Sequence, residues 1–194
     1  MRKEQKANYP ESARGAAALL VRMVLEDGAY TNIALNQYLR GSRLSDLDRR
    51  LATELVYGTV KASGTLDWYL AQCVSRPLDK VAGDILAILR ISTYQLLYMT
   101  RIPASAAVNE AVKLARSVSH EGSAKFVNGV LRGLLRKQEA GAFVLPDTEK
   151  QDADYLSLQY YHPRWLVKRW LGPWGRGGTE RLLAFDNTAA PVCL

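Results

Sequence analysis

Cysteine and histidine are scarce in this chain, with two of each in 194 residues. Cys73 and Cys193 cannot build a disulfide framework, and with only His120 and His162 beside them a metal site has too few ligands. No apolar run reaches the ~18 residues a membrane span needs, so no membrane partner is expected. The N-terminus, Met1-Arg2-Lys3-Glu4-Gln5-Lys6, lacks the apolar centre of a secretory signal. These absences predict a reducing, cytoplasmic setting. Period-two alternation is missing from residues 10–140, which argues against a sheet. There is no Gly-x-Gly-x-x-Gly after a strand, no serine elbow and no His-Glu-x-x-His. Gly172-Pro173-Trp174-Gly175-Arg176-Gly177-Gly178 is glycine-rich, but no strand precedes it and no Gly-Lys-Ser/Thr ends it. No catalytic residue, cofactor site or metal site is expected in this chain.

What is present is apolar content and positive charge. At 48% hydrophobic the chain can bury a core, and its formal net charge of +7 favours an anionic partner, most simply nucleic acid. The charge is uneven. Residues 90–140 hold eight basic side chains against three acidic, the largest excess, whereas residues 141–160 are net acidic.

Helical spacing dominates. Residues 1–9 read as a basic mobile arm. Pro10 and Glu11 suit a first helical turn, and the apolar spacing of Ala13, Ala16, Leu20 and Val24 predicts a helix to about Asp27, ended by Gly28. Residues 28–44 read as a connector with some apolar anchors. Ser45 caps a helix to about Val60, and Thr65 opens another, stopped by Pro77. Val81–Met99 is apolar nearly all round, as suits the centre of a bundle. Helices then follow from Pro103–Ser105 and after Gly122. Residues 141–154 look like a linker, and a second unit begins near Tyr155. In it, His162 caps a helix with Pro163 in its first position, Gly175–Gly178 breaks the chain, and Thr179 caps a short last helix. Pro191-Val192-Cys193-Leu194 reads as the opening of an apolar strand without its second half, so a truncated chain is expected. The fold expected is an all-α bundle.

Asn109, Lys113, Arg116 and His120 recur at three- and four-residue steps on one helix, and Lys125, Asn128, Arg132 and Arg136 on the next. Each set therefore lies along one face. Basic side chains neutralise phosphates, asparagines bond bases or backbone oxygens, and Phe126 could stack on an unpaired base. The alternative is a solvated face, with Phe126 in the core. Arg14, with Lys3, Lys6 and Arg22, extends the basic patch onto the first helix or serves solubility. Arg90, inside the most apolar helix, is expected to pair with a carboxylate such as Glu54 or Glu110. Cys73 reads as a buried, inert thiol.

Ala13-Arg14-Gly15-Ala16-Ala17, Ala107-Val108-Asn109-Glu110-Ala111-Val112 and Lys125-Phe126-Val127-Asn128-Gly129-Val130-Leu131 resemble the NusB fold, the helical RNA-binding domain of bacterial transcription antitermination factors. Asp48-Arg49-Arg50-Leu51-Ala52-Thr53-Glu54-Leu55-Val56-Tyr57-Gly58-Thr59, Leu89-Arg90-Ile91-Ser92-Thr93-Tyr94-Gln95-Leu96-Leu97-Tyr98 and Tyr161-His162-Pro163-Arg164-Trp165-Leu166-Val167 look like the N-terminal region of the ribosomal RNA small-subunit methyltransferase B (Sun or Fmu) family. The resemblance implies a NusB-like domain over residues 10–140 and, over 155–194, the start of that family's second N-terminal subdomain. It also implies a C-terminal domain that methylates cytosine C5 of rRNA with S-adenosylmethionine, lying beyond the last residue here. Neither Cys73 nor Cys193 matches that domain's catalytic cysteines. RNA contacts would fall near Arg14 and on Lys125–Arg132. Arg132 stands where antitermination factors usually carry an acidic residue, which favours phosphate over base contacts.

The leading expectation is thus an RNA-binding, substrate-positioning region whose partners are small-subunit rRNA and its own methyltransferase domain. A free-standing NusB-like antitermination protein is the alternative. A scaffold with an incidental basic face is a third reading.

Overall fold

The computed structural model describes residues 8–147 and 152–188. The arm residues Lys3 and Lys6, the 191–194 segment and Cys193 lie outside the described residues. Two compact units divide the chain, Met1–Ala142 and Phe143–Leu194. Among the described residues every regular element is helical, and none is long and apolar enough to cross a membrane.

The first unit holds α1 (Ala13–Leu25), α2 (Thr31–Gly41), α3 (Asp46–Lys61), α4 (Ser63–Ala71), a 3-10 turn (Leu78–Lys80), α5 (Gly83–Tyr98), α6 (Ala104–Val118) and α7 (Glu121–Glu139). Local chemistry sets the starts. The Ser12 hydroxyl accepts the Gly15 N–H at 3.1 Å, so α1 begins two residues after Glu11 rather than at Pro10. The Ser45 hydroxyl accepts the Asp48 N–H at 3.2 Å and donates to the Asp48 carboxylate at 2.8 Å, while Asp46 and Asp48 meet the positive end of the α3 dipole.

The expected connector over 28–44 is corrected: residues 31–41 form α2. Its buried and half-buried positions, Ala34, Leu35, Tyr38 and Leu39, have helical spacing and pack on α1 and α3. The stripe is too narrow to stand out in the sequence. Gly28 takes φ +73°, a left-handed turn that glycine adopts without strain, between α1 and α2.

Helix α5 is the centre of the bundle. Ile85 through Leu89, Ile91, Ser92, Thr93 and Gln95 are buried, and α1, α3, α4, α6 and α7 all pack on it. Two of its buried polar groups are answered within the helix: Ser92 Oγ donates to the Ile88 carbonyl at 2.7 Å, and Gln95 Nε2 to that of Ile91 at 3.1 Å, whereas the buried Thr93 hydroxyl has no hydrogen-bond partner among the described residues. Arg90 does not pair with Glu54 or Glu110. Its guanidinium makes a two-pronged contact with Asp67 of α4, both bonds at 2.8 Å. Asp67 was not singled out because only the packing of α4 on α5 brings it near.

Close packing also sets what α1 tolerates. A Cβ on Gly15 would lie 2.1 Å from the Pro10 carbonyl oxygen, a backbone atom that cannot swing away. Gly15→Ala is expected to cost about 1–3 kcal/mol through overpacking. The check is urea denaturation, where the midpoint falls at constant slope; an unmoved midpoint would mean that the Pro10 backbone yields freely.

In the second unit, α8 (Asp152–Tyr160) and α9 (Arg164–Asp186) close around Leu156, Val167 and Leu183. Helix α8 begins inside the stretch expected to be linker, because Asp152 and Asp154 suit a first helical turn. Both carboxylates bind α9: Arg164 pairs with Asp154, and Arg176 with Asp152 at 2.6 Å. The glycine-rich stretch only kinks α9, at Gly175 (φ +60°), and Thr179 is buried inside the resumed helix rather than capping it. His162 is not a cap either. Pro163 occupies that position, and the imidazole Nδ1 lies 2.5 Å from the Tyr160 carbonyl oxygen.

Candidate nucleic-acid interface

Helices α6 and α7 pack on each other along small and branched side chains. Ala107, Val108, Ala111, Leu114 and Ala115 are buried on α6, and Ala124, Val127, Val130, Leu131 and Leu134 on α7. The turns opposite them carry Asn109, Lys113 and Arg116 on α6 and Lys125, Arg132 and Arg136 on α7, all exposed. Asn128 is half-buried at the flank of the α7 face, where its Oδ1 accepts from Arg132 Nε at 3.0 Å.

Part of this basic face is answered within the protein. Lys113 donates to Glu110 at 2.8 Å, and that bond holds the Glu110 carboxyl below its ordinary value. Arg116 binds Glu121 through Nε at 2.7 Å and the second guanidinium nitrogen at 3.2 Å. The same contact lowers the pKa of Glu121 and raises that of Arg116. Both pairs are exposed, so each contributes little to stability, and a polyanion can compete for the cations.

Arg14, on α1, lies near enough to Glu110 for its charge to help lower that carboxyl's pKa. It is half-buried, and its Nε donates to the buried Gln95 at 2.8 Å, tying α1 to α5. His120 does not continue the α6 face, since that helix ends at Val118. It caps α7, its Nδ1 accepting the Ser123 N–H at 3.3 Å. Cys73 is half-buried, and burial pushes its thiol pKa up, Lys137 opposing. Reactivity is thereby suppressed.

Phe126 lies between the two expected situations. Its ring packs partly against the core, and the Arg76 guanidinium sits 4.7 Å from the ring centroid. Together with Lys80, His120, Gly122 and Ser123 they line a groove of about 280 Å³ at the start of α7. Lys80 also lies 3.6 Å from Asp79, on the surface. Arg76 and Lys80 escaped the sequence reading. They belong to the slightly acidic 66–89 stretch, some fifty residues from Phe126, with no local signal of the pairing.

The groove combines a π face, a planar cation lying over it, a second cation and the positive end of a 19-residue helix. The NusB family model matches residues 11–136. The chain belongs to the NusB family. This NusB-family chain is 41% identical over 176 residues to the probable ribosomal RNA small subunit methyltransferase B of Synechocystis sp., a match covering 91% of this chain and 39% of that protein. It is 36% identical over 171 residues to the Bacillus subtilis protein of the same description, covering 88% of this chain and 37% of that one. The chain thus spans about two fifths of the length of these curated relatives. A solved structure of antitermination factors NusB and NusE in complex with dsRNA superposes with a TM-score of 0.60 at 20% identity, over 65% of this chain and 95% of that one. At that identity the likeness establishes the fold.

Proposed function

We propose that this chain is the RNA-binding, substrate-positioning region of an rRNA cytosine-C5 methyltransferase of the small-subunit methyltransferase B type, acting in the cytoplasm. The observation that carries the reading is the groove at the start of α7, where Arg76 stacks on Phe126 beside Lys80. An unpaired base stacks on the exposed side of the Arg76–Phe126 pair, or on the ring after Arg76 swings toward a phosphate. Lys125 and Arg132 hold phosphates on the outer side of α7, and Asn128, next to Arg132, offers a directional bond. Lys113, Arg116 and Asn109 extend the contact along α6 as phosphates replace Glu110 and Glu121. Arg14 acts from below, by holding α1 against Gln95 so that α5 and α6 keep their places.

The reading as a methyltransferase region draws support from relatives whose match runs through both units, over 88–91% of this chain. A free-standing antitermination protein leaves the α8–α9 unit without a role. The proposal assigns the methyl donor, and the domain that would use it, to the part of the relatives' length that this chain does not span.

The test is the affinity of the chain for a small-subunit rRNA fragment as a function of salt. With Arg76, Lys80, Lys125 and Arg132 each on a phosphate, and Lys113 and Arg116 joining them as their carboxylates are replaced, the log–log slope is expected to be about −3 to −5, because bound phosphates release counterions. A slope near zero would assign the bundle to intramolecular scaffolding instead.

A further inference from the structure

The outer side of α7 has a second feature, away from the groove at its start. A furrow of about 330 Å³ runs between the end of α4 and the C-terminal half of α7, lined by Gln72, Cys73, Gly129, Gly133, Arg136 and Lys137. Its wall is fixed across the bundle, because Lys137 Nζ donates to the Gln72 carbonyl at 2.6 Å. Gly129 lies in the middle of a 19-residue helix, is exposed, and has nothing within 4 Å of where its Cβ would stand. At Gly133 only the Arg136 guanidinium comes as near as 3.9 Å. Internal packing therefore does not ask for glycine at either position, although glycine is the poorest helix former after proline. Between Gly122 and Gln138 the helix carries Lys125, Arg132, Arg136 and Lys137 and no carboxylate.

We propose that this furrow seats the sugar–phosphate backbone of an RNA strand, the two glycines letting it approach the helix more closely than any side chain would allow. The proposal rests on the RNA-binding reading above and adds a path along α7 for the strand that leaves the Phe126 groove. Attraction between phosphate and guanidinium grows as their separation shrinks, so a helix stripped of side chains beside Arg136 strengthens the contact. A second copy of the chain fits less well, because it would set four cations against four. Recognition here is of backbone, so it is insensitive to sequence.

Gly129→Ala separates the possibilities, since the added methyl meets open space in the free protein. The melting midpoint of the chain is expected to rise by ~2–4 °C. Affinity for labelled oligouridine and oligoadenine of equal length is expected to fall about five- to tenfold for both, the value of about one phosphate contact near 0.1 M salt. Arg136→Gln should weaken both as well and reduce the salt slope by about 0.7. A raised midpoint with unchanged affinity, while the unaltered chain still binds in a salt-dependent way, removes the furrow and leaves the RNA-binding reading in place. No binding by the unaltered chain removes both. A change in self-association by sedimentation without a change in RNA affinity would assign the furrow to a second copy and overturn the proposal. A lowered midpoint would place Gly129 against protein and overturn it too.

Discussion

Val108→Asp is expected to unfold the bundle. Val108 is 3% exposed on the side of α6 that meets the core, flanked by Ala107 and Ala111 and grouped with Leu114, Ala124, Val127 and Leu131. Among the described residues packed there, the cations of α6 and α7 point the other way, so the new carboxylate would have no partner. An unpaired buried charge costs about 3–5 kcal/mol, and losing the valine adds roughly 1–2 kcal/mol of apolar burial. Domains of this kind have only about 5–15 kcal/mol in total. The variant should show a depressed or absent cooperative melt by far-ultraviolet circular dichroism. Stability should partly return as the pH is lowered, because protonation removes the charge that burial disfavours. Asn109→Asp, one residue along on the outer side, is the control and should stay within about 0.5 kcal/mol of the unaltered chain. Retained melting in Val108→Asp would place that side chain outside the packed interface.

The second large effect concerns binding. Lys125→Glu combined with Arg132→Glu replaces two cations by two carboxylates on one exposed side of α7, while the buried stripe of Ala124, Val127, Val130, Leu131 and Leu134 is untouched. Helical content should not change. If each cation holds one phosphate, loss of the two contacts is expected to lower rRNA affinity about thirty- to a hundredfold near 0.1 M salt and to flatten the log–log slope by roughly 1.5. Repulsion from the new carboxylates pushes the loss to the upper end. Equilibrium binding at several salt concentrations, with circular dichroism on the same samples, makes the check. A variant that loses its helical signal would show Lys125 and Arg132 to be structural. One that folds and binds as before would move the RNA away from α7.

The Arg116–Glu121 and Lys113–Glu110 pairs bear on how such binding is tuned. Each carboxylate neutralises a cation that faces solvent, and each is held ionised below its ordinary pKa by that partner. On the proposed reading, RNA displaces these carboxylates to use Lys113 or Arg116, and the α6 half of the face is expected to engage more weakly than α7. The Lys113–Glu110 contact is a one-turn pair that helical spacing alone suggests. The Arg116–Glu121 contact crosses the break between two helices, and no periodic pattern announces it.

Some of this protein could be read from its residues alone. An all-α bundle follows from the helical spacing of apolar residues, and the central place of α5 follows from its lack of a polar stripe. The cap at Ser45 and the opposition of apolar and basic sides on α6 and α7 were equally legible, because each depends on residues within a turn or two of one another. The position of α2 was not, since two buried residues make too faint a stripe. Arg90 with Asp67, Arg14 with Gln95 and Arg76 over Phe126 were decided by tertiary structure, which joins side chains some twenty to eighty residues apart. Local sequence determines which sides of a helix avoid water. Which charged or aromatic group meets another across the bundle depends on how the helices cross, and that is settled by the packing of the whole core.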